Sequence, residues 1–181
     1  MIQLYLTVDD GPNKQTAAIA DYLSQRGIRA VFYLTGGAIE CFSNVARKVS
    51  DYGHEIGNHG YTHQCLYSKS IKEIEQELTD TQNIIQSTAG QLPTKFRPPY
   101  LRWNEEHNHL LQKLGLQIEE LCMGIGDATK EYRIDYELAE RNLFKKIEET
   151  KVVLIHSRQH TLEGLQDLLS WFESKGYIFV D

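Results

Sequence analysis

The 181-residue sequence predicts an α/β fold built on a parallel sheet with helical crossovers. Three observations point there. Apolar, β-branched runs alternate with helical patterns along the whole chain. Glycines stop successive helices just before the next run. No internal repeat, low-complexity tract or Pro/Gly/Ser linker interrupts the alternation.

Residues 2–8 (IQLYLTV) read as the first strand. Residues 14–26 carry Ala17, Ala18, Ala20, Tyr22 and Leu23 and read as a helix ended by Gly27. Residues 28–34 (IRAVFYL) make a second strand. A helix near 43–52 stops at Gly53, and a short strand follows near 54–58. Residues 68–88 form a long helix, because Ile71, Ile74, Leu78, Ile84 and Ile85 recur at helical spacing with acids toward the start. Strands near 95–97, 116–122, 152–156 and 177–180 complete the set, with helices near 104–114, 135–149 and 161–175 between them. Seven or so such units can close into a barrel or stay open and doubly wound, and periodicity leaves both open. In either case a site belongs at the carboxyl ends of the strands. The unusual residues fall there: after 2–8, after 54–58, after 95–97, near 122–127 and at 156.

The length suits one domain over residues 1–181. The net charge of −6 argues against nucleic acid, whose binding needs Lys and Arg to neutralise phosphates, and gives no support for an anionic membrane surface. No apolar run approaches membrane-spanning length. The start, MIQLYLTVDDG, has no basic segment before its apolar stretch and does not read as a signal peptide. Taken as a full-length chain it is expected in the cytoplasm; a removed leader would make a secreted or cell-envelope protein. Cys41, Cys65 and Cys122 are odd in number and lack C-x-x-C spacing, so buried free thiols are expected rather than a disulfide framework or zinc ribbon.

Four constellations carry chemistry. In Thr7-Val8-Asp9-Asp10-Gly11-Pro12 two adjacent acids end a strand, an arrangement costly to bury unless a cation is near; a plain turn is the alternative. In His59-Gly60-Tyr61-Thr62-His63 two histidines at i and i+4 can share a metal, although most such pairs are surface residues. Two His and one Asp would make a three-ligand site with an open position. In Phe96-Arg97-Pro98-Pro99-Tyr100 the prolines stiffen the chain, and Arg97 can pair with a carboxylate or simply lie at the surface. The apolar strand Val152-Val153-Leu154-Ile155 ends in His156, the side chain best suited to proton transfer near neutral pH. Trp103 and Tyr61 flank these motifs and can stack on a sugar ring or pack in the core. His54 reads as a structural hydrogen-bonding group, and His107, His109 and His160 as exposed positions.

Together these residues resemble the polysaccharide deacetylase family, carbohydrate esterase family 4, also called the NodB-homology domain. Its pattern T-F-D-D-G-P stands here as TVDDGP and H-[ST]-x-x-H as HGYTH, while R-P-P-Y is matched by Arg97 to Tyr100 and the closing apolar strand and histidine by VLIH. The resemblance covers nearly the whole chain. It implies a distorted (β/α) barrel of about seven parallel strands that hydrolyses the N-acetyl group of N-acetylglucosamine-containing oligo- or polysaccharides. It implies one divalent metal, Zn2+ first with Co2+, Ni2+ or Mn2+ as substitutes, bound by Asp10, His59 and His63. Asp9 would be the base, Arg97 its partner and His156 the acid. Tyr100, Trp103, Tyr61 and Leu154 would meet substrate, with a main-chain N–H near Tyr100 binding the oxyanion.

Besides Val8 in place of the pattern's phenylalanine, the sequence departs from the family pattern in four places. Gly60 replaces a common hydroxyl residue, Leu101 a common glycine, and Ser157 a common aspartate. The expected Asp-Trp pair is Asp127-Ala128, so Asp127 is the candidate partner of His156 and one wall of the usual pocket is missing. Two alternatives follow: an amidase acting on a small non-sugar amide, and a sugar-binding domain that has lost catalysis.

Overall fold

The computed structural model describes residues 1–119, 121–128 and 133–180. Strand β1 (Ile2–Gly11) is the centre of the sheet. Its even-numbered Leu4, Leu6 and Val8 enter the main core, while Thr7 and Asp9 point to the opposite, concave face, as the two-residue period of a strand requires. Around it lie β2 (Val31–Leu34), β3 (Glu55–Asn58), β4 (Lys95–Phe96) and β5 (Gln117–Ile118) on one side, and β7 (Val152–His156) and β6 (Met123–Gly124) on the other. Every pairing is parallel, in the order β5-β4-β3-β2-β1-β7-β6. The short β8 (Tyr177–Phe179) pairs with the first residues of β1. Since β5 and β6 end the order unpaired with each other, the sheet is a half-barrel of seven parallel strands.

Helices α1 (Thr16–Gln25), α2 (Gly36–Cys41), α3 (Ser43–Asp51), α4 (Ile71–Ala89), α5 (Asn108–Leu114), α6 (Tyr136–Lys146) and α7 (Gln159–Ser174) flank the sheet. The longest, α4, starts at a capping box in which Ser70 and Glu73 exchange hydrogen bonds, and ends at left-handed Gly90. It buries Ile74, Leu78 and Ile85. Ile74 and Leu78 form a second cluster with Phe96, Trp103, Leu110, Leu111 and Leu116. No helix among the described residues is long and apolar enough to cross a membrane.

Three expectations need correction. The single strand near 116–122 is two strands at opposite edges of the sheet. Gln117 N–H bonds Thr94 and Glu119 N–H bonds Phe96, which fixes β5 to β4; the chain then crosses the open side to pair β6 with β7. Leu121 is exposed on that crossing, and Glu120 lies outside the described residues. The helix α2 was not expected, because GGAIEC is too short and glycine-rich to show a period. Of the cysteines only Cys122 is buried; Cys41 is exposed at the end of α2 and Cys65 is intermediate.

Candidate metal centre and active site

The sheet brings the motifs to one rim. Asp9 is still in register with His156 across the β1–β7 pair, and the Ser157 N–H bonds the Asp9 carbonyl at 3.0 Å. The next residue, Asp10, adopts a left-handed backbone (φ 67°), which aims successive carboxylates at different parts of the rim. Asp9 is buried. Its Oδ1 accepts a 2.8 Å hydrogen bond from Arg97 Nη1, and its Oδ2 lies 3.9 Å from His59 Nε2.

Arg97 is fully buried and every side of its guanidinium is engaged. Nη1 also donates to Thr7 Oγ1 (2.7 Å), Nε to the Glu119 carbonyl (3.0 Å) and Nη2 to Glu119 Oε2 (3.2 Å), and the group stacks 4.3 Å from the Tyr33 ring. Burial works against its charge, but the carboxylate of Asp9 outweighs this and raises its pKa. The contacts from β4 to β1 cross the concave face, so Arg97 ties the two sides of the half-barrel together beneath the rim.

His59 follows β3 and is buried. Its Nδ1 meets the Arg97 carbonyl at 2.7 Å, which leaves Nε2 to face Asp10 Oδ1 at 3.6 Å. His63 Nε2 lies 3.0 Å from the same oxygen. Between them Gly60 has φ +73°, a conformation open to glycine and awkward for the hydroxyl residue common at this position. Ligand atoms of Asp10, His59 and His63 lie within 4.8 Å of one another, so the three can hold a metal ion. Burial works against ionisation of Asp10, but the hydrogen bonds with His59 and His63 outweigh it and hold the carboxyl well below the usual carboxylate range.

The loop carrying His63 is tied down by Glu77 of α4, which the motifs did not reveal. Glu77 accepts from Tyr61 N–H (2.7 Å), Thr62 N–H (2.9 Å) and the Thr62 hydroxyl (2.6 Å). Burial works against its charge, but these bonds outweigh it and keep Glu77 below its ordinary pKa. The signal was present: Glu77 sits with Ile74, Leu78 and Thr81 on the buried stripe of α4, where an acid needs a reason.

On the β7 side of the same rim, Asp127 accepts from the His156 N–H (2.7 Å, Oδ2) and the Thr161 hydroxyl (2.9 Å, Oδ2), and its Oδ1 lies 2.9 Å from His156 Nδ1. Burial works against the imidazolium, but the Asp127 hydrogen bond and charge outweigh it and raise the His156 pKa above the ordinary value. His160, expected to be exposed, lies half-buried with Nε2 2.8 Å from the Asp127 carbonyl, because the first turn of α7 folds back over that residue. Arg158, also unforeseen, places Nη2 3.3 Å from Asp10 Oδ2.

A cavity of about 590 Å³ opens over these groups, lined by Asp9, Asp10, His59, His63 and His156 with Pro98, Tyr100, Leu101, Ala128, Leu154 and Arg158. Tyr100 is largely exposed and packs against the His63 ring at 5.1 Å. Both Tyr100 (φ 62°) and Leu101 (φ 53°) are left-handed, which accounts for glycine being common after the tyrosine.

Two expected sugar-stacking residues lie elsewhere. Trp103 is buried edge-on against Phe96, with its indole N–H on Asn108, so it belongs to the second core cluster. The Tyr61 ring lies against Gly36, where an added Cβ would come within 2.3 Å of it, and its hydroxyl pairs with Glu40, so it locks the loop to α2 outside the cavity. His54 is buried, with its two ring nitrogens at the Ala30 N–H and the Ala20 carbonyl, as a structural group would be.

The chain belongs to the polysaccharide deacetylase family, whose model matches residues 2–118. It is 28% identical over 191 residues to a peptidoglycan-N-acetylglucosamine deacetylase of Bacillus cereus, an alignment spanning 98% of this chain and 66% of that protein. The structure resembles a family 4 acetyl xylan esterase from Clostridium thermocellum in complex with a cobalt ion (TM-score 0.79, 26% identity, 98% of this chain and 87% of that one). It also shares its fold with a CE4 family pseudoenzyme from Bacillus anthracis (TM-score 0.85, 22% identity, 99% and 63%). The chain thus spans just under two thirds of the curated Bacillus cereus relative.

Proposed function

We propose that the protein hydrolyses the N-acetyl group of N-acetylglucosamine-containing glycans with the help of one divalent cation. The observation that carries the reading is the convergence of Asp10, His59 and His63 beside a carboxylate and an imidazole that are each held by their own partner. The donor set of two imidazoles and one carboxylate suits zinc, with cobalt, nickel or manganese as substitutes. The family membership and the deacetylase named among the relatives support the sugar amide as substrate.

Asp10, His59 and His63 would hold the cation. When bound, it polarises the acetyl carbonyl and makes water more acidic. The remaining work falls to the chain. Arg97 holds one oxygen of Asp9, and the other faces the cluster. Asp9 takes a proton from the attacking water as its oxygen adds to the acetyl carbon. A main-chain N–H near Tyr100 donates to the developing oxyanion. His156, whose protonated form the Asp127 carboxylate favours, gives its proton to the nitrogen as the C–N bond breaks, releasing acetate and a free amino sugar.

Acetate release from N-acetylglucosamine oligomers, acetylated xylan and small N-acyl amides tests the reading on metal-stripped protein titrated with zinc. Release from the amino-sugar oligomers should appear with zinc and level off at one equivalent per chain. Turnover confined to small amides would favour the amidase alternative. Oligomer binding without acetate at any zinc level would make this a sugar-binding domain.

A further inference from the structure

Arg158 is the one arginine or lysine among the described residues lining the cavity, and the chemistry above does not use it. Its backbone is fixed, with its N–H on the His156 carbonyl (2.8 Å) and its carbonyl accepting from Leu162 (3.0 Å). Its side chain is about one-third exposed (34%). Among the described residues the guanidinium makes a single hydrogen bond, to Asp10 Oδ2 at 3.3 Å, long and one-pronged for a charged pair that favours two parallel bonds of about 2.7–2.9 Å. Its Nε is buried and has no acceptor among the described residues.

The surroundings offer little else. Ser157 stands where the family commonly has an aspartate, and it is turned inward, accepting from the Thr16 hydroxyl. Asp10 already serves His59 and His63. The walls formed by Pro98, Tyr100, Leu101, Ala128 and Leu154 carry no formal charge. A neutral sugar would leave this cation under-partnered, whereas a planar anion matches its fork.

We infer that Arg158 is a specificity-determining residue that binds a carboxylate carried by the glycan beside the acetamido group. The inference rests on the deacetylase reading and narrows its substrate to acidic amino-sugar glycans.

The test uses zinc-loaded protein and two tetrasaccharides of equal length. One is built of N-acetylglucosamine alone; the other carries a 3-O-lactyl carboxylate on alternate sugars. Calorimetry should show the wild type binding the carboxylated oligomer about tenfold more tightly, the order expected for one charge-assisted contact. Arg158→Gln should bring that ratio close to one, and Arg158→Lys should keep part of it. Equal wild-type affinities, or equal losses on both oligomers in Arg158→Gln, would overturn the inference. Weakened zinc binding in Arg158→Gln with the preference intact would assign the residue to Asp10 and overturn it too. Acetate release from the same mixtures tests the parent reading separately: preference without acetate removes that reading alone, and acetate without preference removes the inference alone.

Discussion

At the scale of single residues, the proposed base and acid each have their own charged partner. Asp9 has Arg97 at 2.8 Å and His156 has Asp127 at 2.9 Å. The His156–Asp127 pair yields a signed prediction. On the proposed mechanism His156 gives its proton only when protonated, so the rate should fall as pH rises through its pKa. Asp127 raises that pKa, and its loss lowers it. In Asp127→Asn the alkaline limb of the pH–rate profile for N-acetyl substrates should therefore move to lower pH, while the acid limb stays. A profile that keeps its alkaline limb would detach Asp127 from the proton transfer. His156→Ala should cost about a hundredfold or more on the same substrates. An activated acetyl ester, whose leaving group needs no proton, should lose far less.

At the scale of elements, α4 does more than cover the sheet. Through Glu77 it holds the 61–62 backbone and so sets where His63 stands relative to His59. Glu77→Ala would leave two N–H donors of that loop without their acceptor, at about 1–3 kcal/mol of stability. It should also weaken zinc affinity, and Glu77→Gln, which keeps an acceptor, should recover part of both. Chelator competition and thermal unfolding check this; unchanged zinc affinity would reduce Glu77 to a structural role.

The same elements show what was legible in the sequence. Asp9, Asp10, His59, His63, Arg97 and His156 stand at strand ends in short motifs, and parallel topology brings strand ends together. Asp127 was reached by position alone, and the structure pairs it with His156. Glu119 and Arg158 meet their partners from a distant part of the chain, where no local spacing records the contact, whereas Glu77 shows only as an acid on the apolar stripe of α4, which does not name its partner. Trp103 and Tyr61 were misplaced for a related reason. Adjacency to a motif does not fix facing, and the packing against Phe96 and Gly36 decided it. The two pieces of the strand near 116–122 read as one because the crossing between the sheet edges holds no glycine, proline or other turn former, and its only polar residues are Glu119 and Glu120.

At the scale of the whole molecule, the half-barrel is held across its concave face by Arg97, and its rim groups come from β1, β3, β4 and β7 together. A cation that joins Asp10 to the β3 loop therefore bridges strands far apart in sequence and should stabilise the fold. At a hundred times its dissociation constant this amounts to about 2.7 kcal/mol, or roughly 5–10 °C in Tm for a chain of this size. The most direct test of the account compares Asp9→Asn and Asp10→Asn, measuring bound zinc and acetate release on the same samples. The account predicts that Asp9→Asn keeps one zinc per chain and loses about a hundredfold or more of the rate, as loss of a general base does. Asp10→Asn should lose the zinc and the rate together. Equal loss of zinc in both variants, or near-normal turnover by Asp9→Asn with its zinc in place, would contradict it.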